Sequence, residues 1–213
     1  MKKNGILKLV ILMKGEAVRQ KLITVTRTLL KTNPVVTVKE IADASYLNVA
    51  SIKYYFGSKD KLLNVVCEQF VDEIKEGMVQ VADLNKLDTD FRLLFDETIR
   101  FIKGKITENY GVMYYLLGKI GTETGDILLE AFFSSTEFAT KLIDVIQLTT
   151  KIQERKRVEV IYTMIFASII FPLRFKTKSL KYPEYAEFGK SEQFNNLLIE
   201  EIYKLITNKS ENI

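Results

Sequence analysis

Within twelve positions the chain sets Asn48, Ser51, Lys53, Tyr54, Tyr55 and Lys59 among the small or apolar Val49 and Ala50. Amide, hydroxyl, ammonium and phenol groups on one short segment hydrogen-bond well, and phosphate oxygens and base edges are partners that suit them. They do not make a covalent catalyst. The chain has no histidine, which removes Ser-His-Asp and Cys-His catalysis and histidine-containing zinc sites. Its one cysteine, Cys67, falls on the apolar side of a helical pattern and reads as a buried small hydrophobe; an intrachain disulfide is excluded, and a reducing, cytoplasmic compartment is the natural expectation. Adjacent carboxylates such as Asp96-Glu97 and Glu200-Glu201 would point apart on a helix, and GKIGTETG (118–125) lacks the spacing of a phosphate loop. The expectation is no enzyme, no catalytic residue, no metal and no cofactor.

The elements that must position these side chains are short. Thr37 followed three residues on by Glu40 has capping-box spacing, so a helix starts there, buries Ile41 and Ala42, and ends near Ser45. Asn48 caps a second helix whose Ile52 turns inward with Leu47 while Ser51, Lys53 and Tyr55 turn out; Val49 and Phe56 complete its apolar spacing. Gly57 stops that helix and Ser58 caps a third. Two helices joined by a tight turn, the second exposing polar, basic and aromatic groups, form a helix-turn-helix of the kind that enters a DNA major groove.

The run IADASYLNVASIKYYFGSKDKL resembles the DNA-binding domain of the TetR (tetracycline repressor) family. The resemblance rests on Ile41-Ala42, the small-residue turn, Asn48, the Tyr54-Tyr55-Phe56 cluster and Gly57-Ser58-Lys59 leading into a long helix, and it spans about a quarter of the chain. It implies a DNA-facing set of Thr37, Asn48, Val49, Ala50, Ser51, Lys53, Tyr54, Tyr55 and Lys59. Ala50 and Ser51 would allow close approach to base edges, Asn48, Lys53, Tyr54 and Tyr55 would reach phosphates or bases, and Lys59 with the amides of the helix it opens would grip a phosphate. Any one of these residues could instead be an ordinary solvated position, or core packing for Tyr54. Two departures stand out: Lys53 replaces a tyrosine common in the family, and Tyr46 replaces the turn glycine. A tyrosine at positive φ costs about 1–2 kcal/mol, so the turn is either built differently or strained.

Charge and hydropathy extend the reading to the whole chain. Residues 1–66 carry 12 Lys+Arg against 4 Asp+Glu, and residues 67–213 carry 19 against 23, so the basic end coincides with the helix-turn-helix. Residues 1–14 read as a later start at Met13, a basic arm, or an added helical turn; a secretory leader is rejected because Lys14 and Glu16 follow the apolar run. A first helix spans 16–31 and ends at Asn33-Pro34. Further helices are expected from Ser58 to about Asp83, from a cap at Asp88 or Thr89 onward, at 110–118, from 124 to 152, at 158–173 and at 191–206, with Arg174–Lys190 as a polar connection. The fold class is all-α, with a three-helix helix-turn-helix domain (1–60) ahead of a larger helical domain for ligand binding and dimerisation (61–213).

The 158–173 segment is apolar on nearly every face yet too short to span a bilayer, so it reads as a buried or interface helix and no membrane partner is expected. The resemblance implies a homodimer through 158–173 and 191–206, double-stranded DNA with a pseudo-palindromic operator, and a small-molecule effector that is largely apolar. The residues facing that effector would be Phe95, Ile99, Tyr110, Met113, Tyr114, Phe133, Tyr162 and Phe166, each of which reads equally as core. A repressor released by its ligand is the implied function; the alternative is a helical ligand-binding protein or enzyme that has lost DNA reading. Effector identity, operator sequence, target genes and the sign of regulation are not written in any of these patterns.

Overall fold

A computed structural model describes residues 2–82, 91–133, 137–170 and 191–207. Among them every regular element is an α-helix: α1 (Lys2–Thr32), α2 (Val38–Ser45), α3 (Val49–Phe56), α4 (Lys59–Ala82), α5 (Phe91–Glu108), α6 (Tyr110–Gly118), α7 (Glu123–Phe133), α8 (Glu137–Thr150), α9 (Arg155–Ile170) and α10 (Glu192–Thr207). The chain divides into two compact units, Met1–Asp72 with Ile106–Ile127, and Glu73–Lys105 with Leu128–Ile213.

In the first unit, Leu22, Ile23 and Leu30 of α1 are buried together with Val36, Ile41, Ala42, Ile52 and Phe56, the inward residues of the helix-turn-helix and its approach. Burying side chains of this size contributes roughly 1.5–3 kcal/mol each. Leu62, Leu63, Val66, Cys67 and Phe70 continue the core along α4, and Val112, Met113 and Leu116 bring α6 into it. Burial pushes the Cys67 thiol up to about 12, so it stays protonated and packs as a hydrophobe. Gly111 lets α6 lie against the end of α1: a Cβ there would run into the Leu30 carbonyl oxygen and the Pro34 backbone. Arg27 adds a hydrogen bond to the Asn109 Oδ1 oxygen (3.0 Å) at the start of α6.

The second unit has its own packing. Ile146, Val158 and Tyr162 are buried between α8 and α9, with Leu142, Ile143, Ile152, Ile161 and Ile165 around them. Gln147 Nε2 donates to the Ile152 and Gln153 carbonyls (3.2 Å each), and Arg155 donates to Gln147 Oε1 (3.0 Å) and to Asp144, which fixes the connection. Ser191 Oγ accepts the Phe194 amide (3.1 Å), the cap expected for the last helix, and α10 packs on α9.

Three expected bounds move. The first helix begins at Lys2, so of the readings of residues 1–14 the helical extension holds, and α1 runs through Gly15. The 124–152 helix is described as α7 and α8, with 134–136 outside the described residues, and it ends at Thr150 because Lys151 adopts φ 55°. The 158–173 helix starts earlier, at Arg155. The expected cap at Asp88 or Thr89 and the 174–190 connection lie outside the described residues.

Candidate nucleic-acid interface

Thr37 and Glu40 form the full capping box of α2: Glu40 N donates to Thr37 Oγ1 (3.2 Å), while Thr37 N (2.6 Å) and Thr37 Oγ1 (2.7 Å) donate to Glu40 Oε2. The Thr37 amide, then its hydroxyl and the charge of Lys59, hold the Glu40 carboxyl below the usual range. At the far end of α2, Tyr46 takes φ 53° and ψ 40°, and the Leu47 amide reaches back to the Ala42 carbonyl (3.0 Å). Tyr46 therefore occupies the left-handed position directly, and of the two readings of this turn the strained one holds.

Asn48 Oδ1 accepts both the Ser51 amide (2.9 Å) and the Ser51 hydroxyl (3.0 Å) at the start of α3. The helix buries Ile52 and Phe56 and ends at Gly57, whose φ of 79° suits glycine. Ser58 Oγ then accepts the Lys61 amide (3.1 Å) to start α4. With both ends fixed, α3 turns Asn48, Val49, Ala50, Lys53 and Tyr54 to solvent, and Thr37 is exposed on α2's cap. Ser51, Tyr55 and Lys59 are half-buried.

Tyr54 is 83% exposed, which removes its core-packing reading; its ring meets Tyr55 edge-on at 4.9 Å. Tyr55 passes beside α1, where a Cβ on Gly15 would lie 3.9 Å from its ring. Lys59 Nζ donates to the Val36 carbonyl (3.1 Å). Tyr46, which sequence reasoning treated only as a backbone irregularity, is 89% exposed at the turn between α2 and α3, with the Lys21 ammonium 5.5 Å above its ring. The signal was its chemistry, an aromatic side chain at the tip of the turn.

The aromatic positions read as effector-facing fall into two sets. In the second unit Phe133, Tyr162 and Phe166 come together, with ring centroids 5.8 and 4.7 Å apart for Phe133 with Tyr162 and with Phe166; Tyr162 donates its hydroxyl to the Phe132 carbonyl (2.7 Å), and burial raises its pKa. Phe95 is buried with Ile99 one turn on, 6.2 Å from the Tyr203 ring. In the first unit Tyr110 and Tyr114 rings lie 6.1 Å apart and Met113 is buried. Among the described residues no group of three or more Cys, Asp and Glu could hold a metal ion, and no helix is long and apolar enough to cross a membrane.

No protein-family profile matches the sequence, and no curated protein sequence matches it. Solved structures do match its fold. A TetR-family transcriptional regulator from Streptomyces coelicolor superposes with a TM-score of 0.58 at 15% identity, covering 88% of this chain and 89% of the other. RolR in complex with its ligand resorcinol gives 0.57 at 18% identity, over 91% and 89%. The chain therefore has the fold of the TetR-family regulators along most of its length.

Proposed function

We propose that the chain is a homodimeric transcriptional regulator that reads DNA through α3, a repressor in its simplest form, released by a small and largely apolar ligand. The observation that carries this reading is the outward face of α3: Val49, Ala50, Lys53 and Tyr54 stand in solvent on a helix whose two ends are fixed by Asn48 and Gly57. A short, rigidly held helix with small residues at its start and a cation and phenol beyond suits groove entry with flanking phosphate contacts. Thr37, Asn48, Ser51, Tyr55 and Lys59 complete the set.

Val160 and Met164 support the dimer, being more than half exposed one turn apart on α9, with Leu197 similarly exposed on α10. A two-fold pair would set two recognition helices about 34–36 Å apart on a pseudo-palindromic site. The effector residues are Phe95, Ile99, Phe133, Tyr162 and Phe166 in the second unit and Tyr110, Met113 and Tyr114 in the first, and RolR, of similar fold, has the small ring resorcinol as its ligand. A DNA regulator of this kind works in the cytoplasm, and the reading gives it no catalytic step.

Salt-titrated binding to the DNA upstream of its own gene, against an unrelated duplex of equal length, tests the reading. Tight preference for the upstream fragment, falling steeply with log salt, is expected. Lys53→Ala should weaken every duplex alike and lower the salt slope by about 1 if the ammonium grips phosphate. No binding at low salt would overturn the reading in favour of a helical protein that has lost DNA recognition.

A further inference from the structure

The first unit holds a half-open cleft of about 230 Å³ beside the helix-turn-helix, with no residue of α3 in its lining and with Val35 at its exposed rim. Leu30, Pro34, Val35, Val36 and Leu63 form apolar walls, Tyr114 and Tyr115 supply rings from α6, and Lys59 and Lys119 supply two ammonium groups. We propose that this cavity is a ligand site for a small aromatic carboxylate, with the ring among the apolar walls and the carboxylate on Lys59 and Lys119. It shares only Tyr114 with the effector set above and is a second site, beside the DNA-reading element itself.

Size and charge choose the ligand. The volume lies below the roughly 300–1,000 Å³ of drug-sized pockets and above the ~150 Å³ that accepts benzene in an engineered apolar cavity, so it suits one substituted ring. Walls of Leu, Val and Pro disfavour a sugar or a free phosphate, whose polar groups would be left unmatched. The two cations call for an anion. Lys59 Nζ makes one hydrogen bond, to the Val36 carbonyl (3.1 Å), and an ammonium carries three donors. The Lys119 ammonium lies 5.4 Å over the Tyr115 ring, and among the described residues no salt bridge engages either lysine. Of the neighbouring acids, Glu40 feels the Lys59 charge but has its carboxylate hydrogen-bonded to Thr37, and Asp60 accepts from the Tyr115 hydroxyl (3.5 Å).

The position gives the site a consequence. Its walls come from the end of α1, the 34–36 approach to α2, the start of α4 and α6, so an occupant joins α6 to the segments that hold the helix-turn-helix. It also competes for Lys59. If that ammonium grips a phosphate when DNA is bound, as proposed above, a carboxylate in the cavity draws it inward and weakens DNA binding; this consequence, unlike the site, rests on the DNA reading.

Benzoate, with benzyl alcohol as the uncharged match, tests the site on the full chain by calorimetry and carbon-13 methyl spectra, without DNA. Benzoate should bind one per chain with methyl shifts centred on Leu30, Val35, Val36 and Leu63, and benzyl alcohol at least tenfold more weakly. Lys119→Met should cut benzoate affinity about tenfold while leaving benzyl alcohol unchanged; Lys59→Met should do the same. Absence of binding at 5 mM benzoate, equal affinity for the two compounds, or shifts confined to methyls outside the cavity would each overturn the proposal. Benzoate binding by a protein that shows no specific DNA binding in the salt titration would instead count against the DNA reading alone.

Discussion

Helices α3 and α9 both leave a face in solvent, and the two faces differ in kind. On α3 the exposed groups beyond the small first turn are an ammonium and a phenol, which stay well solvated until a polar partner replaces the water. On α9 they are Val160 and Met164, one turn apart, which gain only by leaving water altogether. Single exposed hydrophobes are ordinary, but two apolar side chains one turn apart on α9, with Leu197 also exposed on α10, have the composition of an interface centre. On the proposed reading, a wet, charge-dependent contact and a dry, shape-dependent one would be carried by different units of one chain.

The largest effect should come from breaking the dry face. Val160→Asp with Met164→Asp places two carboxylates where two apolar side chains would be desolvated. Central interface residues cost about 2 kcal/mol or more each when lost, so the dimer constant should weaken at least a hundredfold. Both positions are exposed within one chain, so the circular-dichroism spectrum should be unchanged. Sedimentation equilibrium reads the outcome; an unaltered dimer would mean that α9 is not the interface. Operator affinity should fall with dimerisation although α3 is untouched, because two half-sites bound at once give the dimer its advantage.

A second test sharpens how the wet face is held. Gly111→Ala drives a methyl into the Leu30 carbonyl and the Pro34 backbone, and backbone atoms cannot rotate aside. Overpacking of this type costs about 1–3 kcal/mol, expected as a lower urea midpoint. Gly118→Ala, on the same helix with nothing within 4 Å of the added Cβ, is the control, and should be neutral or stabilising by a few tenths of a kcal/mol. Equal costs at the two positions would separate the effect from the α1 contact.

The helix-turn-helix was the most legible part of the chain, because local chemistry specifies it. Thr37 with Glu40 and Asn48 with Ser51 are side-chain to backbone contacts spanning three residues, so spacing alone reveals them. The 110–118 bounds of α6 also agree with the sequence pattern, although its Asn109 cap makes no side-chain hydrogen bond to the helix. The start of the first helix, set at 16 with an added helical turn left open for 1–14, lies at Lys2: Gly15 costs a helix only about 1 kcal/mol, and α1 runs through it. Contacts between distant residues left no local trace. Lys59 on the Val36 carbonyl, 23 positions away, and the cavity they line come from packing, and no periodicity encodes them.

The turn that aims α3 offers a smaller effect of opposite sign. Tyr46 sits at φ 53°, a conformation that costs a residue with a Cβ about 1–2 kcal/mol. Tyr46→Gly relieves it and gives up the ring beneath the Lys21 ammonium, so a net stabilisation of about 1 kcal/mol is expected in urea unfolding. Tyr46→Ala keeps the strain and loses the ring, and should be slightly destabilising. If Tyr46→Gly is more stable yet binds DNA less well, the exposed phenol is part of the wet face.

The smallest effect concerns the cap of α2, and its sign follows from Glu40. The Thr37 amide and hydroxyl hold the folded-state carboxyl below its ordinary value of 4.5, with a smaller contribution from the charge of Lys59. A group whose pKa is depressed by folding binds fewer protons in the folded state, so its contribution is present above the unfolded pKa and is lost as pH falls through the folded one. Glu40→Gln keeps an oxygen for the Thr37 amide and removes the titration. The stability difference between wild type and Glu40→Gln should therefore be level from pH 6 to 8 and shrink below about pH 4.5. Raised salt should reduce the Lys59 share and leave the Thr37 hydrogen bonds in place, because exposed charge pairs are screened while a short hydrogen bond is not. A difference that stays constant down to pH 3 would show that the capping box works through shape alone, and would remove charge from the account of how the α2 end is held.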